Sequence, residues 1–335
     1  MSGDIYEQMT EKIMLKGSQI IPRLFEMIVD PLEAQLMMAM PGTPEQLAEK
    51  LSRPVSEIAE MCKVLYQKGT SFKSFKGDSV GYKMCRDMIQ FHDATILWKD
   101  ATLEFHDLWQ QFIEDEWPGF ARFYTQMLER PFTRIVPIDS SVETEKEQIL
   151  DADSARKMIN DAEVLAVTKC TCRLIAHKCD KPLEACIQLG NSARYAIDRE
   201  SGREIDKIEA LRILDETETA GLVHVTMNST HAGHFICNCC SCCCQALPLM
   251  ISEGLNICDP SRFMATIDPD LCDGCFSCMD RCLFNALTET QNTEGMAITK
   301  VIDEKCLGCG LCFSTCPTGA IILKETRPLE FIPSS

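Results

Sequence analysis

The chain is predicted to be an α+β protein of three parts: a helical, winged-helix-like N-terminal domain, a small cysteine-rich α/β domain, and a C-terminal domain made of two similar halves. Three observations predict this. Apolar residues recur at helical spacing through the N-terminal part. Between residues 151 and 260, buried strand-like runs alternate with helices. From Cys272 to Cys316 one cysteine phrase is written twice, each copy flanked by strand-like runs.

Residues 1–40 read as amphipathic helices, with Ile13, Ile20, Leu24 and Ile28 at helical spacing. Thr43-Pro44-Glu45-Gln46 is a helix start, with Thr43 as cap, Pro44 at the first helical position and Gln46 three residues after the cap. The helix LAEKLSR stops before Pro54, and VSEIAEMCKVLYQK ends at Gly69. SFKSFKGDSVGYKM then alternates around Gly77-Asp78 as a hairpin does. Helix, helix, hairpin is the order of a winged helix–turn–helix, and these elements define a domain over 1–86. From Lys50 to Arg86 there are eight Lys and Arg against three Asp and Glu, a local balance of +5. Such a patch admits nucleic acid, although winged helices also serve as packing or docking modules. Residues 87–150 read as a connector of two helices broken at Pro118-Gly119, with Trp98, Phe105, Trp109 and Phe112 near one face, followed by a polar, acidic linker. His92 and His106 read as surface or satisfied core residues.

In the segment 151–260, DSARKMINDA reads as a helix and VLAVTK as a buried strand leading into Cys170-Thr-Cys172-Arg173. A loop then carries Cys179 and Cys186 in CDKPLEACIQLG. EIDKIEALRILDETETAG is a helix capped by Asp206 and stopped by Gly221. LVHVTMN and HFI are further strands, the latter delivering Cys237-Asn-Cys239-Cys240-Ser-Cys242-Cys243-Cys244 before the helical QALPLMISEG. Two cysteine groups therefore fall at strand ends, where rigid elements aim ligands.

Over 261–335 each half reads strand, cysteine loop, short helix, strand, with MATID, MAITKVID and AIILKE as strand-like runs. The two phrases, Cys272-x2-Cys275-x2-Cys278-x3-Cys282 and Cys306-x2-Cys309-x2-Cys312-x3-Cys316, have the spacing that wraps a 4Fe–4S cube. Structural zinc usually takes two separated pairs instead. The stretch resembles the two-cluster bacterial ferredoxin family. That resemblance implies two 4Fe–4S clusters with exchanged fourth ligands: Cys272, Cys275, Cys278 and Cys316 for one, and Cys306, Cys309, Cys312 and Cys282 for the other. Gly274, Gly308 and Gly310 let the backbone wrap closely, its N–H groups pointed at sulfide. The second copy ends Cys316-Pro317 as the family does, whereas the first ends Cys282-Leu283, which leaves its turn to be tested.

The middle cysteines admit several readings. Cys170, Cys172, Cys179 and Cys186 form one complete four-thiolate set. Cys237, Cys239, Cys240, Cys242, Cys243 and Cys244 hold a further cluster or supply shared ligands. Zinc, or a thiol redox switch, is the alternative. The pattern C-x-C-R, C-x-x-P-L-x-x-C and C-N-C-C-x-C-C-C resembles one found beside ferredoxin domains in a family of anaerobe iron–sulfur proteins, described only generically as electron carriers. This implies one or two more 4Fe–4S clusters. Arg173, Lys178 and Lys181 can stabilise thiolates there, and His177, His224, His231 and His234 lie near enough in sequence to be weighed as ligands.

Composition narrows the remaining classes. The 335 residues are 45% hydrophobic, enough for two or three cores. The 21 cysteines are an odd number and include runs such as Cys242-Cys243-Cys244, which argues against a disulfide framework. The start MSGDIYEQMT is acidic and polar, unlike a secretory signal, and no apolar run reaches the roughly 18 residues of a membrane span. A cytoplasmic location in an anaerobic host is expected. The net charge of −17 disfavours nucleic acid and anionic membrane overall and suits a redox partner with a basic patch. No G-x-G-x-x-G or phosphate-binding loop points to an organic cofactor. The sequence reads best as a multi-cluster iron–sulfur electron-transfer protein, an oxidoreductase component. The alternatives are a redox-sensing transcription regulator using the winged helix, or an enzyme subunit with a substrate-binding cluster in the middle domain.

Overall fold

Helix signals in the N-terminal sequence become capped helices. The computed structural model describes residues 4–77, 79–143, 153–230 and 233–334. Its first unit comprises Met1–Phe120 with Arg199–Ser201. α1 (Ile5–Lys12), α2 (Ile21–Ile28) and α3 (Pro31–Ala39) come first. In α4 (Pro44–Leu51) the Thr43 hydroxyl accepts from Gln46 N at 3.4 Å while Gln46 Oε1 accepts from Thr43 N at 3.0 Å. This reciprocal cap satisfies two otherwise orphaned backbone donors. α5 (Val55–Lys68) follows, ending at Gly69. β1 (Ser71–Lys76) and β2 (Ser79–Met84) form the antiparallel hairpin, registered Ser71↔Met84 to Lys76↔Ser79. Gly42 makes an isolated antiparallel bridge to Tyr82 of β2.

α6 (Met88–Ile96) and α7 (Leu103–Asp115) supply the aromatic core. Phe91 stacks on Phe25 with centroids 4.1 Å apart, and Trp109 lies tilted on Phe91 at 5.1 Å. Phe105, Trp109 and Phe112 are buried along one face of α7, as their spacing predicts. Trp98 lies outside the helix. Both histidines of this region are satisfied: buried His92 meets Asp93 at 2.8 Å, and His106 Nε2 lies 3.1 Å from Ile96 O. α8 (Trp117–Met127) carries Pro118-Gly119 in its first turn, so the helix break falls one step earlier, at Glu116. Proline is tolerated in a first turn because its missing N–H would have no partner there.

The second unit, Ala121–Asp198 with Gly202–Ser335, is built on a mixed sheet. Its parts are β3 (Thr133–Val136), α9 (Ala155–Asp161), β4 (Leu165–Lys169), α10 (Thr171–Ala176), β5 (Glu184–Leu189), α11 (Asn191–Asp198), β6 (Arg203–Ile205), α12 (Lys207–Thr219), β7 (Val223–Met227), β8 (Phe235–Cys239), α13 (Leu247–Glu253) and β9 (Cys258–Asp259). The strand order is β6-β4-β5-β8-β7-β3-β9, antiparallel except for β3 beside β9. Alternation along β4 shows how the layers are made. Leu165 and Val167 pack with residues of α9 and α12, including Ile159, Ile213 and Leu214. Ala166 points the other way, against Ala193 and Ala196 of α11. Small side chains on that face let α11 approach closely.

Three sequence readings are corrected here. The stretch CDKPLEACIQLG contains a strand, β5, and is not a loop throughout. The region read as connector contributes β3 to the sheet. The polar run after it begins with packed residues, since Ile138, Ser141 and Val142 are buried and Val142 bridges to Leu323; positions 144–152 of that run lie outside the described residues.

The C-terminal part follows β10 (Phe263–Ile267), α14 (Ser277–Arg281), β11 (Leu287–Gln291), β12 (Ala297–Val301) and β13 (Ile321–Glu325). β10 pairs with β13 and β11 with β12, both antiparallel. Asp153, fully buried, anchors it: Arg134 Nη1 of β3 reaches its carboxylate at 3.0 Å and Arg262 Nε, next to β10, at 2.6 Å. No helix among the described residues is long and apolar enough to cross a membrane.

Candidate metal centres

Each cysteine loop follows a strand and ends in a single helical turn. The first runs from β10 through Cys272, Cys275 and Cys278 into α14; the second from β12 through Cys306, Cys309 and Cys312 into a 3-10 turn, Phe313–Thr315. Gly274, Gly308 and Gly310 have φ of 71°, 66° and 83°. A side chain at Gly308 would collide with Phe263 O and Ser261 Oγ, so the loop can lie on β10 only with glycine there.

The fourth cysteines cross over. Cys272, Cys275, Cys278 and Cys316 line one cavity, with Ile267, Thr299 and Ile321 among its walls. Cys282 lies within electrostatic reach of Cys306, Cys309 and Cys312. The missing proline changes nothing at the turn. Cys282 (φ −79°, ψ 105°) and Cys316 (φ −81°, ψ 108°) share one conformation. Each sulfur accepts from the N–H four residues on, Ala286 at 3.3 Å and Ala320 at 3.2 Å. Such amide donors favour a sulfur carrying negative charge.

Electrostatics separate the two cradles. Burial pushes the Cys309 thiol up to about 12 and Cys306 and Cys312 upward as well. Burial also raises Cys278, though a contact to Thr299 Oγ1 at 3.5 Å opposes it. At Cys316 burial is outweighed by the Thr318 hydroxyl and backbone N–H groups, and the net shift is downward. A metal displaces the thiol proton, so buried thiols rely on the ion to hold the charge.

Residues 261–320 match the family model described as the 4Fe-4S dicluster domain. This region is a 4Fe-4S dicluster domain. No curated protein and no solved structure matches the chain. The dicluster domain fits its clusters in this structure: two sets of four cysteines, backbone donors aimed at sulfur, and no disulfide among the described residues.

The middle cysteines sort into two groups. Along β8 the side chains alternate, so Cys237 and Cys239 share one face and Asn238 takes the other. Asn238 is fully buried and held hard: its Nδ2 donates to Ala185 O at 2.6 Å, its Oδ1 meets His224 Nδ1 at 2.5 Å, and its carbonyl accepts from Arg173 Nη2 at 3.0 Å. On the first face a chain of thiol contacts runs Cys172–Cys170–Cys186–Cys237–Cys239–Cys244. Contacts from Cys172 and Cys186 hold Cys170 down at about 3, aided by Arg173. Cys237, Cys239 and Cys244 pack against the same apolar core as the dicluster cysteines. The second group is Cys179, Cys240, Cys242 and Cys243, whose sulfurs all lie within 4.8 Å of one another.

The set Cys170, Cys172, Cys179 and Cys186 is thus divided. Cys179 lies before the turn at Pro182, while Cys186 sits inside β5 beside β8, and the strand carries them apart. Of the weighed histidines, His224 is buried and engaged by Asn238 and Glu218, and His231 lies outside the described residues. His177 and His234 join no close group of metal-type ligands. Sequence reasoning singled out Arg173 as one of three basic residues; the structure makes it the buried one, with Coulombic contacts to Cys170, Cys186 and Cys240 that overcome the desolvation penalty. Lys181 instead donates to Gly221 O at 3.3 Å. Asn238 and His224 carried no sequence signal beyond their place between cysteines.

Proposed function

We propose that the protein relays single electrons between redox partners through the two clusters of its dicluster domain and a third cluster beside them. Cys272, Cys275, Cys278 and Cys316 hold one cube; Cys306, Cys309, Cys312 and Cys282 hold the other. The third takes ligands from Cys170, Cys172, Cys186, Cys237, Cys239 and Cys244. The observation that carries this reading is the crossing of Cys316 and Cys282 between loops, which brings the two cradles together. The shared core around Cys237, Cys239 and Cys244 supports placing the third cluster in the same relay.

Each cube supplies a one-electron couple. The chain sets its potential through burial, amide donors to sulfur and the Arg173 cation. Cys275 is exposed and faces the solvent where a partner docks. With a net charge of −17, that partner presents a basic patch. The helix–helix–hairpin of the first unit is read as a winged-helix-like docking module, and the location as cytoplasmic.

Anaerobic iron and sulfide analysis tests this. Two cubes give about eight irons and eight sulfides per chain, and the third raises both to about twelve. Replacing Cys170, Cys172 and Cys186 with Ala leaves three of these six thiols, too few for a cube, and removes about four of each. A total unchanged by that replacement would defeat the third-cluster reading.

A further inference from the structure

From the geometry of Cys179, Cys240, Cys242 and Cys243 we infer a closed site for one tetrahedral metal ion, zinc or iron, distinct from every iron–sulfur cube in the chain. The distances decide this. Sulfurs at about 2.3 Å from a central ion lie about 3.8 Å apart along the edges of a tetrahedron. Here Cys179 is 4.0 Å from Cys240 and 3.8 Å from Cys243, and Cys242 is 3.7 Å from Cys243. Cys242 also contacts Cys240 and Cys179.

A cube fails on the same numbers. Its four thiolates each extend one metal–sulfur bond outward from a corner iron, so their separation exceeds about 3.8 Å by the full iron–iron spacing. Since no pair here is more than 4.8 Å apart, about 1.0 Å would remain for that spacing. That is less than a C–C single bond of about 1.5 Å. The eight dicluster cysteines form no such close group among the described residues, as corner ligands of cubes must not.

The surroundings suit a structural ion. Cys240 and Cys243 are buried, and the group packs with Leu222, Ala176 and Ala220 in a small core separate from the one that holds the dicluster cysteines. Four thiolates around a divalent ion carry a net charge of −2, and Arg173, which bonds the Cys240 sulfur, offsets part of it. No position is left for water or substrate, which is the mark of a structural rather than a catalytic centre. The ion ties the segment between α10 and β5 to the tail of β8. That clasp fixes the strand ends carrying Cys170, Cys186, Cys237 and Cys239. The inference does not depend on the electron-relay reading.

The test is the balance of metal against sulfide in the full wild-type chain, purified anaerobically and desalted. Cubes contribute equal iron and sulfide, so the sum of iron and zinc should exceed sulfide by about one per chain. Zinc at about one per chain identifies zinc; excess iron with no zinc identifies iron. Equality of metal and sulfide overturns the inference. In Cys242→Ala the excess should vanish with sulfide unchanged. Loss of about four irons together with four sulfides, or no loss at all, would overturn it. If that variant does not fold, the wild-type balance still decides.

Discussion

The two loops of the dicluster domain carry the same phrase in different surroundings. Around the first, Cys278 is buried, Cys275 is exposed, and Cys272 and Cys316 are partly so; around the second, Cys306 and Cys312 are buried and Cys282 and Cys309 half-buried, the Cys309 carbonyl accepting from Ile138 N at 3.1 Å. The backbones nonetheless agree at the fourth cysteine. Asn285 and Gly319, each three residues later, both adopt positive φ, 51° and 69°. The repeat dictates how a loop folds around its ligands, while neighbours brought from far along the chain decide how wet each site is. Burial opposes the extra negative charge of a reduced cluster, so the inner cradle should hold the lower potential.

The largest effect should come from ligand removal, and its side effects should differ between cradles. Cys312→Ala and Cys275→Ala should each disturb one cluster, lowering iron by up to about four per chain. Cys312→Ala should also lower the melting temperature, because a buried cradle loses the ion that covers it, whereas Cys275→Ala leaves a change at the surface. Equal melting shifts would erase the distinction between inner and outer. Next in size is Asp153→Ala, which removes the buried carboxylate shared by the guanidinium groups of Arg134 and Arg262 and leaves Arg262 its second partner, Glu325, at 2.8 Å. A loss of about 3–5 kcal/mol in denaturant unfolding is expected, and a loss below 1 kcal/mol would mean the anchor beside β10 does little.

Smaller effects probe the backbone. Gly308→Ala should cost roughly 1–3 kcal/mol and disturb the inner cluster's spectrum, because the new Cβ meets Phe263 O in a left-handed conformation. Gly319→Asn should cost a few tenths of a kcal/mol, since Asn285 already occupies the equivalent place and nothing lies within 4 Å of Gly319. Smallest of all, Leu283→Pro should be neutral or stabilise by about 0.4–1 kcal/mol, because Cys282 already has the extended ψ that a following proline demands. Disruption of the inner cluster, which Cys282 serves, by that change would show that the two turns differ after all.

What the sequence disclosed was local. The Thr43–Gln46 cap, the hairpin and the twin cysteine phrases depend on residues within a few positions of one another, and each is present as spacing implied. β5 was hidden because Ala185, Cys186 and Ile187 are all buried, a short run without alternation, preceded by Pro182. β3 was hidden because its four residues gain meaning only beside β7, some ninety positions later. The sorting of the middle cysteines was hidden for the same reason. Period two along β8 separates Cys237 and Cys239 from Cys240, but which face meets the dicluster domain depends on sheet order.

Two cubes side by side with exchanged ligands, close enough to pass an electron, should also couple magnetically. Electron paramagnetic resonance of the anaerobically reduced chain tests this most directly. Two reduced clusters in the dicluster domain should give a spectrum split and broadened by their mutual magnetic coupling, and Cys316→Ala should simplify it to that of a single remaining cluster there. Two unbroadened, independent signals, or no iron–sulfur signal at all, would contradict the account.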